Sequence, residues 1–348
     1  MKDTAAHNLE GKTLQQGWKV LKKFVKDKGD SGGFFSVCYE VEKNGKKYFM
    51  KAFNINGFIG LAGQGKTFME YMKEMSNAFQ YEKELSEYCQ DHRVTKVSFV
   101  IDSGEENMTG FTYPIVPYLI FDMADGDVRH TLTYSQTLDF SWKLKSLHDI
   151  AVGLKQLHGI DVSHQDIKPS NILLFNRESK IGDLGRSMCP ALNGPYDNYS
   201  FSGDNNYSPP EVWYRHQQSE WHERNYAIDC YLLGSMISYY ISGISMSAHL
   251  MKNITMLLPT GLSTSFKNDE PYLLNAFDIA LNEIKATIKI ESIKDELIQL
   301  IEFLCHPNPE RRGHPRNIKI KGSNYSLERF VSQLNILQRK AELALLNL

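Results

Sequence analysis

His164-Gln165-Asp166-Ile167-Lys168-Pro169-Ser170-Asn171, running on into Ile172-Leu173-Leu174-Phe175, is the most informative stretch of this chain. Lys168 stands two residues after Asp166 and Asn171 five after it, so an extended loop aims a carboxylate, an ammonium and an amide at one small volume. The apolar run that follows reads as a strand. Twelve residues past Asn171 comes a second acidic turn, Asp183-Leu184-Gly185. Phosphoryl transfer asks for such groups: a base to orient a hydroxyl, a cation beside the moving phosphate, and oxygen donors for a hard divalent ion. An ordinary polar loop is the alternative reading. The strand, the turn and the second acidic turn at a fixed distance weigh against it.

A chain of 348 residues can bury a substantial core, as one large or two small globular units. Charged residues make up 23% and hydrophobic residues 42%, an ordinary globular balance. The formal net charge of -2 gives no general electrostatic case for nucleic acid or an anionic membrane surface. Cys38, Cys89, Cys189, Cys230 and Cys305 are scattered, without metal-ligand or disulfide spacing, which favours a reducing compartment. The N-terminus has Lys2 and Asp3 but no apolar run of a signal peptide. A cytoplasmic protein is expected, with delivery into a host cell left open. The apolar stretch from Ile228 to Ile244 contains Asp229 and reads as a buried helix rather than a membrane span.

Residues 1–17 read as a loose polar arm. Alternation from Trp18 through Val20 to Phe24 suggests a first strand. Val37–Glu42 and Lys47–Phe53 are strands joined by Asn44-Gly45, a strong hairpin signal. Lys51 lies in the apolar run Tyr48-Phe49-Met50, where an unpaired ammonium is costly, so it calls for an anion unless it turns to the surface. Residues 54–67 hold Gly60-Leu61-Ala62-Gly63-Gln64-Gly65-Lys66-Thr67, a literal match to the phosphate loop G-x-x-x-x-G-K-T. The hairpin upstream argues against a βαβ unit, and a flexible glycine-rich loop is the expectation. Phe68 to Gln90 is a helix with Met72, Met75, Phe79, Glu82, Leu85 and Cys89 near one face. Strands are expected over Thr95–Asp102 and Phe111–Tyr118. Beyond residue 124 the chain is mostly helical: Ser141–Gly159 with a clean apolar stripe, Ser292–Leu304 and Leu327–Leu348, with a less regular stretch from Met246 to Glu291.

The ordered set resembles the protein kinase family. HxDxKxxN and Asp183-Leu184-Gly185 resemble its catalytic and metal loops. Gly29-Asp30-Ser31-Gly32-Gly33-Phe34-Phe35-Ser36-Val37 is similar to its glycine-rich loop G-x-G-x-F-G-x-V; aligned on Val37, Gly32 and Phe34 match, while Asp30 and Phe35 replace glycines. Lys51 falls at the lysine of V-A-I-K. Tyr207-Ser208-Pro209-Pro210-Glu211 resembles Y-x-A-P-E, Asp229-Cys230-Tyr231-Leu232-Leu233-Gly234 resembles D-x-W-S-x-G, and Asn308-Pro309-Glu310-Arg311-Arg312 resembles D-P-x-x-R. The resemblance covers roughly residues 18–330.

It implies an α+β, bilobal kinase-like fold: an arm over 1–17, a small antiparallel-sheet lobe with one main helix over 18–124 with the insertion at 54–67, a large helical lobe over 125–330, and a C-terminal helix extension over 331–348. It implies ATP and Mg²⁺ (or Mn²⁺) and transfer to serine or threonine hydroxyls of protein substrates, with autophosphorylation. Asp166 and Lys168 are then catalytic, with Lys51 gripping phosphates and Glu82 as its partner; Glu84 is the runner-up. Asn171 and Asp183 would hold the metal. Gly32, Gly33, Phe34, Val37, Lys51, Phe121, Asp122, Ala124 and Asp127 would bind nucleotide, with Phe121 behind the adenine and Asp127 at the ribose or simply in a turn. Asp229, Glu211 and Arg312 are structural. Three departures stand out: Gln165 for the arginine before the catalytic aspartate, Asp204 for a threonine in G-T-x-x-Y, and Leu184 for the phenylalanine of D-F-G. Gln165 cannot pair with a phosphate as arginine does, so activity without activation-segment phosphorylation is expected. A pseudokinase scaffold and a small-molecule kinase are the competing classes. A bacterial or viral source fits the drift of the motifs. The C-terminal helix either caps the large lobe or binds a partner; it and the helix with Met75 and Phe79 are candidate surfaces for a regulator or a second copy.

Overall fold

The computed structural model describes residues 4–25, 35–61, 66–134, 139–176, 178–259, 261–320 and 324–346. Among them, five antiparallel strands build the small lobe: β1 Lys19–Lys23, β2 Ser36–Lys43, β3 Lys46–Phe53, β4 Val100–Asn107 and β5 Ile115–Asp122, in the order β1-β2-β3-β5-β4. Asn44 and Gly45 sit at φ 54° and 75°, the left-handed pair that closes the tight hairpin between β2 and β3. The fourth strand begins at Val100, later than its alternation suggests. Residues 96–98 pair instead with Ile181 of the large lobe: Ser98 N donates to Ile181 O at 2.8 Å and Ile181 N to Lys96 O at 2.9 Å.

The two faces of the sheet have different covers. Side chains alternate along a strand, and Cys38 lies opposite Lys51 while Val37 lies opposite Ala52. Val37 therefore turns away from Lys51, into a buried cluster with Tyr39, Val41, Met50 and Ala52. This corrects its expected place in the nucleotide site, because a one-residue shift of register moves a side chain to the other face. The arm is not loose: Ala5, Ala6, Leu9 and Leu14 cover this outer face, and Tyr39 Oη donates to Ala6 O at 2.7 Å.

The inner face packs on two helices, α1 Ile55–Leu61 and α2 Phe68–Asp91. A helix thus stands over 55–61, the first half of the stretch where a flexible glycine loop was expected, while residues 62–65 lie outside the described residues. Its Ile55 and Phe58 join Phe53, Met75, Phe79 and Leu119 in the inner cluster, and that burial holds α1 against the sheet. Thr67 caps α2 in a reciprocal box with Glu70, and Lys66 pairs with Glu74. The lysine and hydroxyl of the phosphate-loop match are therefore engaged in starting a helix, beside a strand that is antiparallel to both its neighbours.

A short hairpin sheet, β6 Gly126–Asp127, β7 Ile172–Phe175 and β8 Glu178–Ile181, lies at the top of the large lobe. Around it come α3 Val128–Tyr134, α4 Phe140–His158, α5 Pro210–Trp213, α6 Trp221–Ser242, α7 Met246–Leu257, α8 Phe266–Thr287, α9 Glu291–Cys305, α10 Pro315–Ile318 and α11 Glu328–Leu346. The stretch from 246 to 291 is thus two regular helices, α7 and α8, packed on each other. Their polar residues face outward and had masked the apolar stripes. The central helix, α6, is buried on most sides, which explains the apolar run at 228–244. No helix of the described residues is long and apolar enough to cross a membrane. The last helix caps the large lobe, the first of the two roles open to it. Phe330, Leu334, Leu337 and Ala341 lie in the same core as Leu144, Leu147 and Leu154 of α4, so the apolar face of α11 is already covered by its own lobe.

Candidate active site

Three supports deliver the polar groups to the cleft between the lobes. From β3, the Lys51 ammonium meets both carboxylate oxygens of Glu82 on α2, at 2.9 and 2.8 Å. It also meets Asp183 Oδ1 at 2.8 Å. Glu82 is only 2% exposed, on the α2 face with Met75, Phe79 and Leu85, whereas Glu84 is exposed and accepts from Gln80. That settles the choice between the two. Burial works against the Lys51 ammonium, yet Asp183 and Glu82 outweigh it and hold its pKa above the usual lysine range. The Asp183 carboxylate is 43% exposed at the cleft, and Lys51 beside it keeps its pKa well below the ordinary value. The three form one charged network, with Asp183 in the left-handed region at φ 60°.

The second support is the loop between α4 and β7. Asp166, Lys168 and Asn171 are nearly buried, at 3%, 6% and 8% exposure. Asn171 Nδ2 donates to Asp166 O at 2.9 Å and to its Oδ2 at 3.0 Å. Lys168 Nζ lies 3.0 Å from Asp166 Oδ2 and 3.3 Å from Asp204 Oδ2. Asp204 N donates to Asp166 Oδ1 at 2.9 Å. Gly182 N donates to Asn171 O at 2.7 Å, which ties this loop to the turn that presents Asp183. Burial opposes the Asp204 carboxylate, but the Asn206 N–H and then Lys168 bring its pKa below the usual range.

The third support holds the loop from beneath. Asp229 of α6 is fully buried and accepts from His164 N at 2.9 Å, Gln165 N at 2.8 Å and Ser163 Oγ at 2.8 Å, with His158 Nε2 at 2.9 Å. Its pKa is lowered against the cost of burial, first by His158 and then by the Gln165 N–H. Glu211 and Arg312 form a buried bidentate pair at 2.6 and 2.9 Å. This pair anchors the end of the segment that carries Asp204.

Gln165 is fully buried at φ 66°, its amide donating to Ser163 Oγ at 2.8 Å and Asn225 O at 3.3 Å. A residue that the motifs did not flag stands nearby. Arg186 donates to Ser202 O at 2.5 Å and Gly203 O at 3.2 Å, and Ser202 Oγ donates back to Arg186 O at 2.6 Å. Its only signal in the sequence was a cation one residue after Gly185. A side chain at Gly203 would put its Cβ 2.1 Å from Gln165 O, so only glycine permits this approach.

Other expected residues are less concentrated. Phe121 lies on the Lys51 face of the sheet, opposite Phe49. Asp122 is exposed and pairs with Lys46 at 3.0 Å, and Ala124 follows in the connection between the lobes. Asp127 accepts from His130 N at 3.0 Å and contacts its ring at 2.9 Å, the work of a turn and helix-cap aspartate. Gly32, Gly33 and Phe34 lie outside the described residues. The donors suit a small divalent ion. With its amide nitrogen turned to Asp166, Asn171 keeps an oxygen that accepts only a long 3.5 Å bond from Ser170 Oγ, and Asp183 adds a carboxylate. Such an ion is commonly held by one or two protein oxygens, substrate phosphates and waters.

This arrangement of two lobes around buried cations and carboxylates defines a phosphotransferase of the protein kinase class. The Protein kinase domain family matches residues 66–321, and the chain belongs to that family. The matched span begins after β3, so Lys51 joins the site on structural grounds. Mitogen-activated protein kinase 4 of Homo sapiens is 24% identical over 235 residues, 64% of this chain and 39% of that protein. Mitogen-activated protein kinase 5 of Arabidopsis thaliana is 28% identical over 208 residues, 56% of this chain and 52% of that protein. An Aurora kinase of Debaryomyces hansenii is 27% identical over 140 residues, 40% of this chain and 32% of that protein. The chain thus covers about two fifths to half of the first two relatives' length.

Proposed function

We propose that this chain transfers the γ-phosphoryl group of ATP to serine or threonine hydroxyls of protein substrates, itself among them. The observation that carries the reading is the junction of two networks. Lys51 holds Glu82 and Asp183, while Asn171 and Lys168 hold Asp166, and Gly182 N to Asn171 O joins the two. Asp166 orients the incoming hydroxyl and takes its proton. Its Oδ1 has a single bond from the Asp204 N–H, and a carboxylate oxygen can accept a second. Lys168 neutralises charge on the transferred group. Lys51, aligned by Glu82, grips the nonreacting phosphates. Asn171 and Asp183 would hold Mg²⁺, which when bound supplies charge neutralisation at the phosphates; Mn²⁺ is the alternative. Phe121 backs the base, the backbone of Asp122 and Ala124 meets its edge, and Asp127 lies toward the ribose. The family resemblance gives the glycine-rich stretch with Gly32, Gly33 and Phe34, which lies outside the described residues, the role of binding the phosphates. Catalysis is positioning plus electrostatics.

The same reading makes activity independent of activation-segment phosphorylation. Gln165 is buried on Ser163 and Asn225, while Arg186 and Ser202 fasten the segment without a phosphate. The test is transfer from labelled ATP with Mg²⁺ to the protein and to a basic substrate, followed by phosphoamino acid analysis. Label on serine or threonine is expected, with Asp166→Ala and Lys51→Ala each losing roughly two or more orders of magnitude. Lys66→Ala should stay active. Loss confined to Lys66→Ala would move the phosphate site to the 60–67 stretch and overturn the assignment.

A further inference from the structure

The face of the small sheet that carries Lys51 also carries a row of three phenylalanines, the middle one touching the other two. Phe24 N donates to Cys38 O at 2.9 Å, which continues the β1–β2 ladder and brings Phe24 beside the row of Cys38 and Lys51. Phe49 is two residues before Lys51 on β3, hence on the same face. Opposite Phe49 on β5 is Phe121. The Phe24 and Phe49 rings are stacked with centroids 5.8 Å apart, and the Phe49 and Phe121 rings meet edge to face at 6.2 Å. Phe24 is 36% exposed and the other two are partly buried.

Their position matters more than their number. Lys51 marks where phosphates are gripped, and the chain after Asp122 marks the backbone that meets the edge of a base. A base joined to phosphates at Lys51 has to lie between these points. Phe49 stands there, at the position of alanine in V-A-I-K. A methyl group would leave the space open, whereas a phenyl ring takes it up, with one face already against Phe24 and an edge against Phe121.

We propose that Phe49 closes the base slot, so that a nucleotide binds only after its ring leaves the Phe24–Phe121 stack. Phe49 is then the residue that sets how tightly this chain takes a nucleotide. The inference rests on the phosphotransfer reading for the location of the slot. It goes beyond that reading in naming one side chain that sets nucleotide affinity. Aromatic contacts of this kind have measured strengths that, for two pairs, correspond to roughly five- to a hundredfold in affinity.

The experiment is titration of the full chain with a fluorescent N-methylanthraniloyl ATP in Mg²⁺, wild type beside Phe49→Ala. A second variant, Phe24→Ala, removes a ring over a third exposed and guards against a misfolded first one. Phe49→Ala is expected to bind about five- to a hundredfold more tightly, and Phe24→Ala by a smaller factor in the same direction. Unchanged or weaker binding by a folded Phe49→Ala, or by Phe24→Ala if the first does not fold, overturns the proposal. Phosphotransfer is measured in parallel and separates the two claims. Tighter binding without transfer by either protein keeps the closed slot and sinks the kinase reading. Transfer by wild type with weakened binding in Phe49→Ala does the reverse.

Discussion

Arg312 and Glu211 offer the most direct test of how the large lobe holds the catalytic segment. Arg312 is fully buried, and its guanidinium makes five hydrogen bonds. Two go to the Glu211 carboxylate, two to His306 O at 3.1 and 3.0 Å, and one to Ala227 O at 2.8 Å. Arg312→Ala removes all five and leaves Glu211, itself 2% exposed, as a buried charge without its partner. Breaking a buried pair from one side costs about 3–5 kcal/mol, mostly from the stranded charge. The apolar double replacement Glu211→Leu with Arg312→Met removes both charges together, and such replacements range from neutral to stabilising by about 1–4 kcal/mol. Here the two stranded carbonyls work against it, so recovery of most but not all of the loss is expected. Urea unfolding followed by circular dichroism at neutral pH measures each variant. A loss below about 1 kcal/mol in Arg312→Ala, or a double variant no more stable than the single, would refute the argument that stranded charge dominates.

Two further variants probe the same scaffold. Asp229→Asn keeps the shape but loses the charge that four donors surround, so a loss of about 1.5–3 kcal/mol at neutral pH is expected. Because the folded pKa of Asp229 is depressed, its contribution is fully present above the unfolded value of about 3.9 and fades as pH falls toward the folded value. The stability gap between wild type and Asp229→Asn should therefore narrow below about pH 4; a gap that stays constant on acidification counts against the assignment. Arg186→Ala cuts the ties to Ser202 and Gly203, and phosphotransfer should fall at least about tenfold through kcat while the melting temperature moves little, since a misplaced segment acts mainly on positioning. Phosphatase treatment of wild type should leave its initial rate unchanged; a treated sample that goes dead would sink the phosphate-independent reading.

Much of the candidate site was legible because its residues are local in sequence. Asp166, Lys168 and Asn171 lie within six residues, and the loop geometry follows from that spacing. Glu82 could be reached from helix periodicity, since only that glutamate falls among Met75, Phe79 and Leu85. Glu211 and Arg312 needed the ordered motifs, being 101 residues apart. What was hidden depended on relations between elements. The register of β2 against β3 sends Val37 outward, and a glycine-rich pattern cannot reveal a shift of one residue. The arm looked polar because its few apolar residues, Ala5, Ala6, Leu9 and Leu14, have no period of their own; the sheet selects them. Helices α7 and α8 were obscured by polar outer faces. The phosphate-loop match could not be weighed from its letters alone, since a helix start also favours a hydroxyl at Thr67.

The departures in the second half of the site form one mechanical chain. An arginine before the catalytic aspartate would bring a charge that needs an anion. Gln165 is neutral, so it can be buried, and its amide closes on Ser163 and Asn225 beneath the loop. With its side chain turned inward, its carbonyl is approached by Gly203, where a Cβ would meet it at 2.1 Å. That approach needs the segment drawn in, and the reciprocal bonds between Arg186 and Ser202 draw it. The next residue, Asp204, then places its N–H on Asp166 and its carboxylate on Lys168. In this order, a neutral buried amide at 165, a cation at 186, a glycine at 203 and a carboxylate at 204 each make the next contact possible. This chain of contacts is what supports the proposed independence from a phosphate: position 165 carries no guanidinium, and the one at 186 is bonded to backbone carbonyls.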